Sequence, residues 1–230
     1  MGIRYREDYW YGPGVPVLSL QIFFSLVMGA LVLWLETGTI KTKKIKIDPI
    51  IFTLIWFFAA LLWAREPLRS TYFMPGNAPL GRAIYPYSDS AIFDMASQFA
   101  LIGQGVFNGH YFDRVLYSSF LTYLHAFAGQ NTMLVMTVQA VLFAVFPAII
   151  YLLGRDLHSR ALGVSIALLI ALRGANSIAA APWIDLASPK MMLTDFPTAI
   201  GIAAFIYFVL KWLGEPSKFQ FSVWAGAMLG

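Results

Sequence analysis

The chain alternates long apolar blocks with short polar ones, and the length of the blocks sets the first expectation. Apolar stretches run over 15–35, 49–64, 132–153, 161–172 and 196–213, and another begins near Phe221. They show neither strict alternation nor a helical stripe, and most approach the roughly 20 residues that carry a helix across a bilayer. The fourth block extends to Ala181 if Arg173 lies at the interior of a bundle. The pattern predicts an all-α fold, a polytopic transmembrane helical bundle of about five to six spans. Trp56 and Trp63 would anchor the short second block at an interface.

The region 65–130 has a different texture. Ile92, Met95, Ala96, Phe99 and Ile102 recur at spacings of three and four, which predicts an amphipathic helix able to lie in the membrane interface. Ser88 or Asp89 would cap its start. A second helix is expected over 114–128, carrying Leu116, Phe120, Leu121, Leu124 and Phe127, and it reads either as interfacial or as a half-buried span. Gly109 and Gly129 punctuate the ends.

Charge gives the orientation. Only 12% of residues are charged against 59% hydrophobic, and mean hydropathy is +0.67. Soluble chains carry about 25% charge. The net charge is +4, but the basic residues sit in short loops beside apolar blocks, without a basic stripe interleaved with aromatics. Anionic headgroups and cytoplasmic placement explain them better than nucleic acid does. Loops 36–48, 154–160 and 211–218 concentrate Lys41, Lys43, Lys44, Lys46, Arg155, Arg160, Lys211 and Lys218, and are expected on the cytoplasmic side. That leaves 65–130 and 173–192 outside, and with them Asp89, Asp94, Asp185 and Asp195. There is no cysteine, which removes thiol chemistry, and His110, His125 and His158 lack ligand spacing. No metal site is expected, although a divalent cation is left open. Residues 224–230 look like a span cut before its far end, so an N-terminal piece of a longer protein is expected.

In a chain this apolar, carboxylates beside a membrane are candidates for chemistry. Asp89 suits a general base that takes a proton from an acceptor hydroxyl, or simply a helix cap. Asp94 lies five residues on, about 140° around a helix, so the pair shares no face and makes a poor metal site. Arg114 and Tyr117 stand one turn apart and would point at one ligand, with the guanidinium gripping a phosphate. Arg173 interrupts an apolar run, as ionisable groups facing a cavity do, or marks a helix end. Lys190 would stabilise a phosphate leaving group, and Asp195 would orient it or a sugar hydroxyl. Asp195 and Pro197 also suit an ordinary helix start.

Four segments, in this order, resemble the GT-C superfamily of integral membrane glycosyltransferases, in the branch of protein mannosyltransferases and the lipid A aminoarabinose transferase. Ser88-Asp89-Ser90-Ala91-Ile92-Phe93-Asp94-Met95-Ala96 resembles that family's acidic first outer loop. Arg114-Val115-Leu116-Tyr117-Ser118-Ser119-Phe120-Leu121 resembles its Arg-Pro-Pro-Leu-Tyr-Pro helix. Tyr151-Leu152-Leu153-Gly154-Arg155-Asp156-Leu157 resembles the turn after the next span, and Leu193-Thr194-Asp195-Phe196-Pro197 a later Thr-Glu-Pro entrance. The likeness covers 85–230. It implies one N-terminal transmembrane domain over 1–230 with an extracytoplasmic loop at 65–130, in the plasma (inner) membrane. It implies inverting transfer of a sugar from a polyprenyl-phosphate donor to a hydroxyl or to a lipid, glycan or protein acceptor. In that scheme Asp89 is the base and Asp94 lies beside it. Arg114, Arg173 and Lys190 bind the donor phosphate, and Tyr117 and Asp195 position sugar or phosphate. The alternatives from other classes are a transporter or flippase for lipid-linked sugars and a membrane scaffold.

Overall fold

The computed structural model describes residues 15–37, 47–76, 84–107, 114–184 and 187–228. Among them the regular structure is nine α-helices: α1 Ser19–Thr37, α2 Ile47–Arg65, α3 Asp89–Leu101, α4 Val115–Ala128, α5 Thr132–Phe143, α6 Val145–Leu157, α7 Arg160–Ala180, α8 Asp195–Gly214 and α9 Gln220–Ala227. Five segments of the described residues are long and apolar enough to cross a membrane: Ser19–Thr37, Ile47–Arg65, Thr132–Leu157, Arg160–Ala180 and Asp195–Gly214. The chain has the make-up of a multi-pass membrane protein. Gly109, the lysine-rich run and Asp185 lie outside the described residues.

Several boundaries have local causes. The third span is two helices in series, because Pro147 has no N–H for the carbonyl of Phe143, where α5 stops. The fourth takes its longer form, but Arg173 is exposed and does not face the interior; the buried stretch that follows it, 174–180, extends the helix. α4, at 14 residues, is about 21 Å long, too short to span. The sixth block, expected to begin near Phe221, forms α9, which covers eight of the described residues. Trp63 is no interfacial anchor: it is fully buried, its indole lies where a Cβ on Gly174 would fall, and its ring meets Phe196 edge-on at 5.6 Å.

The chain divides into two compact units, one holding residues 1–15, 63–142 and 174–197, the other 16–62, 143–173 and 198–230. In the second, Ile55, Ala148, Tyr151, Val164, Ala167 and Leu168 form a core flanked by Met28, Val32, Phe52 and Trp56. Glycines bring its backbones close: a Cβ on Gly154 would come 2.7 Å from the Cα of Gly163, and one on Gly29 would strike Ser165. At one end of this unit, charged residues from five helices interlock. Arg160 binds Asp48 through Nε at 2.6 Å and Glu36 through Nη1 at 2.9 Å. Asp48 also accepts from Tyr151 at 2.7 Å, and Asp156 joins Arg155 at 2.6 Å to Lys211 at 2.8 Å. The three short loops expected to share a side are thus joined by their flanking charges.

The first unit carries α3, α4 and nearly all of α5. Phe93 on α3 meets Tyr117 on α4 edge-on at 5.5 Å, with Ala96, Ser97, Ser118 and Leu121 buried around them. The outward faces are apolar instead: Leu116, Tyr123 and Phe127 are 75%, 77% and 81% exposed, and Ile102 is 69%. Large apolar side chains turned outward, with Ser97 and Ser118 buried, run against a water-facing pattern.

Candidate functional site

Six of the seven predicted site residues, all except Arg173, belong to the first unit. The carboxylates on α3 part company, as their angular offset requires. Asp89 opens the helix and is exposed. Asp94 turns toward α4, where its Oδ1 lies 2.8 Å from Nε2 of His125. The other ring nitrogen of His125, Nδ1, sits 2.9 Å from the carbonyl oxygen of Gly129. Both neighbours accept hydrogen bonds, so the ring fits best as an imidazolium facing an ionised carboxylate. Burial alone would lower the pKa of His125, but the bonds and charge of Asp94 and the Gly129 carbonyl outweigh it and raise the value.

Tyr117 does not join Arg114. Arg114 stands exposed just before α4, whereas Tyr117 is buried and its hydroxyl donates to Oε1 of Gln139 at 2.9 Å. Burial, then the negative charge of Asp94, hold this phenol well above its usual range. Gln139 completes a network that sequence reasoning missed. Its Nε2 donates to the carbonyls of Pro189 at 3.1 Å and Met191 at 2.8 Å, and Ser90 donates to Met192 at 3.1 Å. These bonds satisfy an irregular buried backbone at 188–193 that no helix ladder serves. The signal was a lone amide in the apolar block 132–153.

Lys190 is placed otherwise than expected. It is 3% exposed, and its Nζ donates to the carbonyls of Ala64 at 3.0 Å and Glu66 at 2.6 Å. The lysine closes the C-terminal end of α2, where carbonyls lack helical partners. Burial lowers its pKa, and the charge of Glu66 opposes the shift. Asp195 is exposed in the first turn of α8, and Arg173 is exposed on α7.

Ser88 occupies the cap position of α3, but neither it nor Asp89 supplies a side-chain cap; Ser88 sits at φ 54°, and Arg114, before α4, at φ 58°. Both are left-handed conformations that non-glycine residues adopt at a cost of about 1–3 kcal/mol, a cost found often at working sites. They are the two such residues among those described. Beyond the Asp94–His125 pair, Gln98 and Gln130 exchange amide bonds of 2.8 and 2.6 Å, tying α3 to the turn after α4. Beside that turn lies a cleft of about 490 Å³ lined by Ile84, Tyr85, Ala128 and residues 130–133. Among the described residues no three His, Asp or Glu side chains gather as metal ligands would. No protein-family model, curated protein or solved structure matches this chain.

Proposed function

We propose that the chain is a membrane glycosyltransferase, moving a sugar from a polyprenyl-phosphate donor to a hydroxyl or lipid-linked acceptor on the extracytoplasmic face of the plasma (inner) membrane. One observation carries the reading. The helix α3, in a chain with five candidate spans, presents one carboxylate to solvent beside a strained Ser88 and ties the other to a histidine. The acceptor oxygen bonds to the anomeric carbon as the bond from that carbon to phosphate breaks, and polyprenyl phosphate leaves with the electron pair. Asp89, exposed, takes the hydroxyl proton. Asp94, already bonded, acts through α3 and His125. Arg114, an exposed cation of the same unit at the start of α4, suits the phosphate that departs, and Asp195 the sugar; Lys190, enclosed and bonded to carbonyls, drops out of that role. The apolar outer faces of α3 and α4 suit an enzyme whose donor lies in lipid.

The test is transfer from radiolabelled polyprenyl-phosphate sugars in membranes bearing the whole protein. Asp89→Asn should lower the rate by roughly 10²–10⁴, the worth of general base catalysis. Transfer at the wild-type rate in that variant removes Asp89 as base. Labelled lipid that binds without any transfer removes the enzyme and favours a transporter.

A further inference from the structure

The cleft beside Tyr85 differs in chemistry from the rest of the first unit's surface. Its described lining is Ile84, Tyr85, Ala128, Gln130, Asn131, Thr132 and Met133, with no charged side chain among them. Its volume, about 490 Å³, falls within the range of small-molecule sites. A phosphate or carboxylate would be desolvated there without a cation to receive it, so an anionic ligand is disfavoured.

What the lining offers is neutral and mixed. Tyr85 lines the cleft and is 41% exposed, and its hydroxyl has no partner among the described residues. Asn131 spends its Oδ1 on the N–H of Leu134 at 3.1 Å, which leaves its two amide hydrogens for a ligand. Gln130 commits one hydrogen and its oxygen to Gln98, and keeps its second hydrogen. The hydroxyl of Thr132 has no partner among the described residues. Amide donors, two hydroxyls and one exposed aromatic side chain match a ring that carries many hydroxyls and an apolar C–H face.

The polar part is also held in place. The carbonyl of Gly129 is bound by His125, and Gln130 is clasped by Gln98, one helical turn along α3 from Asp94. Gly129 turns the chain at φ 67°. A turn fixed at both points presents residues 130–132 with little ordering left to lose on binding.

We propose that this cleft binds a neutral carbohydrate ring, stacked on Tyr85 and held by hydrogen bonds from Gln130, Asn131 and Thr132. The proposal deepens the transferase reading by giving the acceptor's chemistry, and it is tested by binding alone so that the two fail separately. The probes are the methyl glycosides of glucose, galactose, mannose, N-acetylglucosamine and arabinose, followed by saturation-transfer NMR on the full chain in nanodiscs. At least one should receive saturation, and excess inorganic phosphate should not displace it. Tyr85→Ala should weaken it tenfold or more, while Tyr85→Phe, which keeps the ring, should stay within threefold. Asn131→Asp keeps the oxygen that caps α5 but loses the amide hydrogens, so it should also cost tenfold with thermal unfolding unchanged. If no glycoside binds, or binding ignores both Tyr85→Ala and Asn131→Asp, the cleft is not a carbohydrate site. Displacement by phosphate equally overturns it. Sugar transfer persisting in a protein whose cleft binds nothing would leave the transferase standing and remove this proposal alone.

Discussion

The Asp94–His125 pair makes a prediction whose size and sign both follow from geometry. The partners lie 2.8 Å apart with side chains 19% and 2% exposed, so solvent screens the bond little. A hydrogen bond to a charged group in such a place contributes about 1.5–3 kcal/mol. Removing either partner should therefore raise the opening of α3 from α4 about 10–100-fold. The chain contains no cysteine, so one reporter can be placed without background. Ala96→Cys puts a thiol on the buried side of α3, at a position 2% exposed, where maleimide reacts only when the pair opens. Asp94→Asn and His125→Gln should each speed labelling by that factor at pH 6, and the double variant should be no faster than the worse single. The pH dependence has a definite direction. The folded-state pKa of His125 is raised above its ordinary value of about 6.5. Its stabilisation is thus complete below about pH 6.5 and fades as pH climbs through the raised value. After correction for the thiolate fraction of an unfolded control, protection of the introduced thiol should be higher at pH 6 than at pH 9. Additive single effects, or protection that is flat or rises toward pH 9, would refute the pairing.

Other variants test the rest of the architecture. Asp48→Asn weakens contacts with three partners, Arg160, Tyr151 and Arg155, but the carboxylate is 26% exposed, so a loss of about 1–3 kcal/mol in thermal unfolding is expected, against under about 0.5 kcal/mol for the more exposed Glu36→Gln. Gly154→Ala forces a methyl against the Gly163 backbone and should cost about 1–3 kcal/mol by the same measurement, whereas Gly214→Ala, which meets nothing within 4 Å, should be neutral or stabilising. Gln139→Leu strands a buried phenol hydroxyl and two carbonyls and should cost about 2–4 kcal/mol in thermal unfolding; a loss under about 0.5 kcal/mol would refute the network as drawn.

The spans were legible because length and apolarity act locally: a block of some 20 apolar residues has few options in water or lipid. Even the broken third span had its cause in view, in Pro147. The polar pairings were not legible, because they join distant positions that share no pattern. His125 and Asp94 are 31 residues apart, and Lys190 reaches carbonyls 124 and 126 residues away. A lysine between two methionines and a proline reads as a free cation until the end of α2 is placed beside it. Tyr117 misled for the opposite reason, since the spacing of three from Arg114 counts only when both residues lie within the helix. Arg114 stands at its cap in a left-handed conformation, outside the rotation that would align them.

That reassignment narrows the chemistry. Of the residues first suspected, Lys190 and Tyr117 have their polar atoms engaged and lie within the first unit, so replacing them tests folding before it tests catalysis. Asp94 also has a partner, but one that ties α3 to the turn beside the cleft, which gives it a positioning role distinct from that of Asp89. The two carboxylates should then differ in kind when neutralised. If the proposed transferase reading holds, Asp89→Asn removes its proton acceptor and should lower kcat at nearly constant KM. In that scheme Asp94→Asn loosens the wall that holds Gln130 and Asn131, so it should raise the acceptor KM and abolish the pH dependence that the His125 pair gives it in the wild type. Equal losses in kcat from both, with the acceptor KM untouched, would return Asp94 to the reacting atoms and leave His125 as its partner in proton transfer.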